Sequence, residues 1–303
     1  MRPRPAGILA VLTLLLVVMG CSRDAGDQAT PTTAASTIRF ASYDFPENQT
    51  LVEVYAQAAR RAGLPVSVEH GVGPREVVAP ALQQGVVDVV IDYLGTALTF
   101  ARPTATDLPS VPAEMHAVLL RTLGGRGVTV LDPAPAQDQN GFAVTAGFAG
   151  EHGVRRLSDL RPLAATLTFG APPECPDRPL CLPGLEKTYG LHFRQVRAMP
   201  SRAATVEALL AGEIDVGLLE TTEARLTSAK IRLLDDDRGL QPAENIVPLV
   251  RTAAIERWGK DLPRALNEVS AHLTTDDLRK LNKVVELDDL TSAQAAARWW
   301  EHH

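Results

Sequence analysis

The turn Asp44-Phe45-Pro46-Glu47-Asn48 holds a ring, a carboxylate and an amide within five residues. Rings and carboxylates favour a cation, and an amide supplies directed hydrogen bonds, so the set suits the capture of a small polar or cationic molecule. An internal match adds two candidates. ALQQGVVDVVIDY (81–93) and ALLAGEIDVGLLE (208–220) share A-L-x-x-G-x-V/I-D-V, which sets Tyr93 and Glu220 at corresponding positions. Glu220 and Glu244 are the best pair for carboxylate hydrolysis, but a chain this acidic supplies such pairs freely. No G-x-S-x-G elbow, H-E-x-x-H helix, P-loop or G-x-G-x-x-G turn is present, and the seven histidines lack metal-ligand spacing. Binding is therefore expected rather than catalysis, with no cofactor and no metal.

The elements that must position these residues follow from periodicity. TIRFASY reads as a strand, and Leu51, Val54, Tyr55, Ala58 and Ala62 recur at helical spacing up to Gly63, with Thr50 and Glu53 as a capping box. LPVSVEH, REVVAPALQQG and VVDVVID continue as strand, helix and strand, the pattern of a parallel sheet covered by helices. The Asp44–Asn48 turn then lies between the first strand and its helix. Tyr93 and Glu220 fall just past carboxyl ends of strands, where open α/β sheets bind ligands. From Phe142 to Leu234 a second α/β pattern runs through GFAVTA, ATLTFG, HFRQVRA, EIDVGLL and IRLLD. Helices dominate from Asp261, with Thr274/Asp277 and Thr291/Gln294 in capping positions. The fold class is α/β, in two lobes with a helical tail.

The N-terminus carries a different message. Arg2 and Arg4, the apolar run from Ile8 to Met19 and Gly20 before Cys21 form a secretory leader, and Val18, Gly20 and Cys21 match a bacterial lipobox. Residues 1–20 are expected to be removed and Cys21 to carry lipid at the extracytoplasmic face of the cell membrane. Residues 22–36 hold no large apolar side chain and read, with Cys21, as a flexible tether. Without the leader, 28 basic residues face 36 acidic ones, and no basic stripe is available to neutralise the phosphates of a nucleic acid. Cys175 and Cys181 remain, six apart in PPECPDRPLCLPG. In an oxidising compartment a disulfide is expected there, because a metal site needs further ligands and the stretch has no histidine.

SYDFPENQTLVEVYAQAARRAG (42–63), ALQQGVVDVVIDYLGTAL (81–98), FGAPPECPDRPLCLPGLEKTYGLHF (169–193), LLDDDRGLQPAENIVPLVR (233–251) and LTTDDLRKLNKVVELDD (273–289) occur in that order. In this order the stretches resemble the osmoprotectant, or glycine-betaine-type, substrate-binding lipoproteins of ABC importers, over nearly all of the chain after the leader. The resemblance implies a type II periplasmic-binding fold with two five-stranded sheets, a hinge crossed twice, and tail helices packed on the first lobe. It implies residues 37–138 and 240–303 in one lobe and 139–239 in the other. The ligand would be a quaternary ammonium compound such as glycine betaine, choline or carnitine, and the partners a permease and its ATPase; the alternatives are the same fold binding a different small polar or amine solute, or a ligand sensor not coupled to import.

The resemblance also carries a ligand-facing aromatic onto Tyr93 and a hydroxyl contact onto Thr96, with Gly95 allowing close backbone approach. It places Gln139 and Asn140 at the first hinge crossing, where Asn140 is expected to reach ligand. The chain departs from the aromatic-cage pattern, with Glu220 and Glu244 in place of rings. A cation-to-ring contact contributes roughly 0.5 to 2 kcal/mol and micromolar binding needs about 8 kcal/mol, so losing two rings matters. The residues expected to line the site are therefore Phe45, Glu47, Asn48, Tyr93, Thr96, Asn140, Glu220 and Glu244.

Overall fold

A computed structural model describes residues 37–105, 109 and 111–303. The leader, the lipidation at Cys21 and the tether to residue 36 lie outside the described residues. No helix among the described residues is long and apolar enough to cross a membrane.

The first half runs β1 (Ile38–Tyr43), α1 (Pro46–Arg61), β2 (Val66–Gly73), α2 (Arg75–Gln83), β3 (Val89–Tyr93), α3 (Leu94–Ala101), α4 (Pro112–Gly124) and β4 (Val128–Val130). Helix α1 starts at Pro46, five residues earlier than a Thr50 cap would allow. Proline suits a first helical position because its missing N–H would be unpaired there anyway. Thr50 is consequently inside the helix and donates to the Pro46 carbonyl, while Glu53 pairs with Arg60 and His70, both at 3.0 Å. Strand β2 also outruns its apolar segment. Gly71 and Gly73 have positive φ, and the register slips from Ala41–Glu69 to Tyr43–Gly73, a bulge that a Gly-rich stretch hides as a turn.

The second half contributes β5 (Asn140–Thr145), α5 (Ala146–His152), β6 (Thr168–Ala171), α6 (Leu182–Gly184), β7 (Gln195–Ala198), α7 (Arg202–Leu210), β8 (Val216–Glu220) and β9 (Ile231–Leu233), followed by β10 (Ile246–Arg251). Two five-stranded sheets result, ordered β2-β1-β3-β10-β4 and β7-β6-β8-β5-β9. In each, three parallel strands meet one antiparallel strand that follows a crossing. The type II arrangement implied by the resemblance is the one observed.

The internal match has a structural cause. Gly85 and Gly212 both end a helix at positive φ, the conformation that costs glycine least. Asp88 and Asp215 each accept a hydrogen bond from the backbone of a neighbouring parallel strand, at Arg39 N and Thr168 N. Tyr93 and Glu220 end β3 and β8, opposite Ile246 and Asn140 on the two antiparallel strands.

The chain closes with α8 (Thr252–Trp258), α9 (Asp261–His272), α10 (Thr275–Glu286) and α11 (Ser292–Trp300). Both tail capping boxes form, at Thr274/Asp277 and Thr291/Gln294. Leu262, Leu266, Leu278 and Trp299 join Leu51 and Tyr55 of α1 in one buried cluster, which fixes the tail on the first sheet's helical face.

The two crossings between sheets hold each other. Gln137 and Asn245 form an antiparallel bridge, the Gln139 side-chain amide donates to the Pro242 carbonyl at 2.6 Å, and Glu244 N donates to Gln137 Oε1 at 3.3 Å.

Candidate functional site

The turn after β1 and the first turn of α1 bring Phe45 and Glu47 to the mouth between the sheets, and the end of β8 brings Glu220 from the other side. With Pro46, Asp138, Thr222, Glu223, Asn282 and Glu286 they line a cavity of about 400 Å³. Phe45 is 37% exposed, whereas Tyr43 and Tyr93, on which its ring rests at centroid distances of 6.1 and 6.0 Å, are buried. One ring of the three is thus available to a ligand. Arg75 explains what Tyr43 does instead: its guanidinium lies 4.8 Å from that ring and pairs with Asp92 at 2.6 Å, and Tyr43 Oη donates to the same carboxylate.

Glu47 is buried and receives two neutral donors, Tyr93 Oη at 2.8 Å and Asn282 Nδ2 at 2.7 Å. Burial pushes its carboxyl upward, and the charge of Glu220 adds to the effect. Burial raises Asp138 well above the ordinary range, helped by Glu47 and Glu220; it accepts from Thr222 Oγ1 at 3.0 Å. Tyr93 is raised by burial and then by Glu47, so its phenol stays a donor. Arg202 pairs with Glu220 at 2.6 Å and Arg225 with Glu223 at 3.0 Å. Asn282 also donates to the Thr222 carbonyl at 3.0 Å, so this α10 side chain spans from Glu47 to the strand end of the second sheet. The cleft is an acidic bowl with one exposed ring, and it suits a positively charged small molecule.

Of the residues expected from sequence, Phe45, Glu47 and Glu220 meet at this cavity, and Tyr93 stands directly behind Glu47. Asn48 does not reach it. Its amide is fully buried, accepts from Tyr43 N and donates to the Ile91 carbonyl, both at 2.8 Å, and ties β1 to β3. Thr96 and Glu244 are spent on each other. Glu244 accepts from Thr96 N at 3.0 Å and Thr96 Oγ1 at 2.7 Å, a carboxylate on the first turn of α3, where the helix dipole favours it. Asn140 donates to Gln241 Oε1 at 3.1 Å and lines a second cavity of about 270 Å³, beside the Cys175–Cys181 disulfide.

Gly95 allows a close approach, but to protein: a Cβ there would stand 2.8 Å from the Ala243 carbonyl oxygen and 3.0 Å from Glu244 Oε1. Gly95→Ala is expected to cost about 1–3 kcal/mol through overpacking. Denaturant unfolding of the variant checks this, and an unchanged midpoint would show that the second crossing yields freely.

Asp138, Thr222, Glu223, Asn282 and Glu286 were not singled out by the sequence. Asp138 sits one residue before the expected Gln139, and Asn282 and Glu286 sit i, i+4 on one face of α10, which is a usable signal only once the cavity is known.

Comparison with known proteins gives a consistent picture. A family model described as the substrate binding domain of the ABC-type glycine betaine transport system matches residues 36–302. The chain is similar to a glycine-betaine-binding protein of Pseudomonas aeruginosa, at 27% identity over 93% of each chain. It is 24% identical to the glycine betaine-binding protein YehZ of Escherichia coli, over 88% of this chain and 90% of that one. The apo structure of YehZ superposes with a TM-score of 0.79, at 22% identity over 88% of this chain and 99% of that chain. A crystal structure described as a glycine betaine/carnitine/choline ABC transporter gives a TM-score of 0.82, at 20% identity over 88% and 98%.

Proposed function

The chain belongs to the family of substrate-binding domains of ABC-type glycine betaine transport systems, a family of solute-binding proteins rather than enzymes, and we propose that it is the extracytoplasmic receptor of an importer, anchored by lipid on Cys21. In this reading residues 37–138 and 240–303 form one lobe and 139–239 the other. Solute enters between them and the loaded form docks on the permease. The solute is a small organic cation of the osmoprotectant class, with glycine betaine, choline and carnitine as the first compounds to test, since relatives are named for such ligands.

One observation carries the reading: the exposed ring of Phe45 and the carboxylates of Glu47, Asp138 and Glu220 converge on one cavity from both sheets. A ligand touching both sides stabilises a closed form only as far as it binds that form better.

A thermal-shift screen of the purified protein against small cations and zwitterions tests this. A ligand at a hundred times its dissociation constant should add about 2.7 kcal/mol, a rise of a few degrees. Phe45→Ala should weaken the best ligand by about 0.5–2 kcal/mol, measured by calorimetry. Unchanged affinity in Phe45→Ala would place the solute away from this cleft.

A further inference from the structure

The carboxyl groups on the cleft wall outnumber what a singly charged ligand requires. Glu47, Asp138, Glu220, Glu223 and Glu286 line one cavity, and among the described residues no lysine or arginine does. Arg202 and Arg225 offset Glu220 and Glu223. Glu47 and Asp138 are met by neutral donors only, the groups of Tyr93, Asn282 and Thr222, and Glu286 forms no ion pair within 4 Å among the described residues, Arg225 acting on it only from a distance. Three carboxyl groups on one cavity are therefore left without a direct ion pair to a cation of the protein's own.

Resting on the reading of this cleft as the solute site, we infer that the preferred ligand is a di- or polyamine bearing ammonium N–H groups and no carboxylate. Charge balance is the first reason, since two or three ammonium groups match the unpaired carboxyls where one does not. The second reason is hydrogen bonding. A trimethylammonium head cannot donate, so it would leave the carboxylate oxygens of Glu47 and Asp138 desolvated without new partners, whereas each ammonium supplies up to three donors. A betaine carboxylate would enter a bowl of carboxyl groups whose nearest guanidiniums, Arg202 and Arg225, are already paired with Glu220 and Glu223. Phe45 offers one ring face, enough to cover an alkyl chain or one cation but not to cage a quaternary head. The wall is also not a metal cage, because among the described residues no three His, Cys, Asp or Glu side chains are grouped closely enough to hold an ion. The burial that raises Glu47 and Asp138 supports the same exchange, with ammonium groups displacing protons.

Calorimetry of the purified protein with spermidine, putrescine, choline and glycine betaine, repeated with Glu286→Gln and Asp138→Asn, tests the inference. The expected order is spermidine at least about tenfold tighter than choline, with glycine betaine weakest. Glu286 is exposed at the end of α10, so Glu286→Gln should fold and melt no lower than the wild type while weakening spermidine about three- to tenfold. Choline or glycine betaine binding as tightly as the amines, or a carboxylate-bearing solute from the wider screen binding more tightly, overturns the amine preference and leaves the solute-binding reading standing. Wild-type spermidine affinity in both variants also overturns it. If no small solute shifts the melting temperature at all, the solute-binding reading of the cleft falls, and the inference with it.

Discussion

Asp88→Ala is expected to destabilise the protein by about 3 kcal/mol, read as a lower midpoint in denaturant unfolding. Asp88 is buried just before β3 and accepts from Arg39 N, Nε and Nη2 and from Arg251 Nε and Nη2, at 2.7 to 3.1 Å. It thus locks β1, β3 and β10, the three inner strands of the first sheet. Removing it leaves two guanidinium groups facing each other across the vacated position. Their side chains remain 29% and 27% exposed, so water recovers part of the loss and the expected cost sits at the low end for a broken buried pair. A loss below about 1 kcal/mol would mean that the backbone ladder alone holds these strands.

The second large effect is on pH. Glu47, Asp138 and Glu286 all have carboxyls raised above their unfolded values, first by burial and then by neighbouring carboxylates. Their contribution to stability is fully present below the unfolded value and is lost as pH rises through the folded one. The ligand-free protein should therefore gain stability as pH falls from about 8 towards the ordinary carboxylate range. Below that range Asp88, held low by its two arginines against its own burial, loses its contribution as it is protonated, and the trend reverses. Affinity for a cation runs the other way. Binding requires these groups ionised, so each proton released makes affinity fall by about tenfold per pH unit on the acid side. Calorimetry in two buffers of different ionisation enthalpy should show protons released on binding. Affinity that is flat from pH 8 to 5.5 would mean that the cation does not meet Glu47 or Asp138.

Much of the architecture was legible because its signals are local. The shared A-L-x-x-G-x-V/I-D-V segments required a helix, a left-handed glycine and a buried strand twice, and the aspartate at their centre does the same work in each sheet. The equivalence of Tyr93 and Glu220 followed from it. Thr274 and Thr291 cap as their spacing demands, whereas Thr50 and Glu53 show the same spacing and do not, since Pro46 had already begun the helix. The binding wall was legible only in part. Asn48, Thr96 and Glu244 carry suitable groups, but their hydrogen bonds go to Tyr43, Ile91 and one another. Those partners lie up to 148 residues away in sequence, and no local pattern announces them. Asn282 and Glu286 were missed for the same reason: α10 reaches the cleft only because the tail folds back over α1.

The position of β10 has a kinetic consequence. All five strands of the second sheet come from one uninterrupted stretch, 140–233, so that sheet can assemble from nearby chain. In the first sheet β10 separates β3 from β4 and comes more than a hundred residues after either. Until Ile246–Arg251 has been made, β3 presents an open edge and Asp88 lacks Arg251. Pairing across such a separation carries a loop-closure cost that slows folding. The later half should acquire protection from hydrogen exchange first during refolding, and the half that begins the chain should complete itself last.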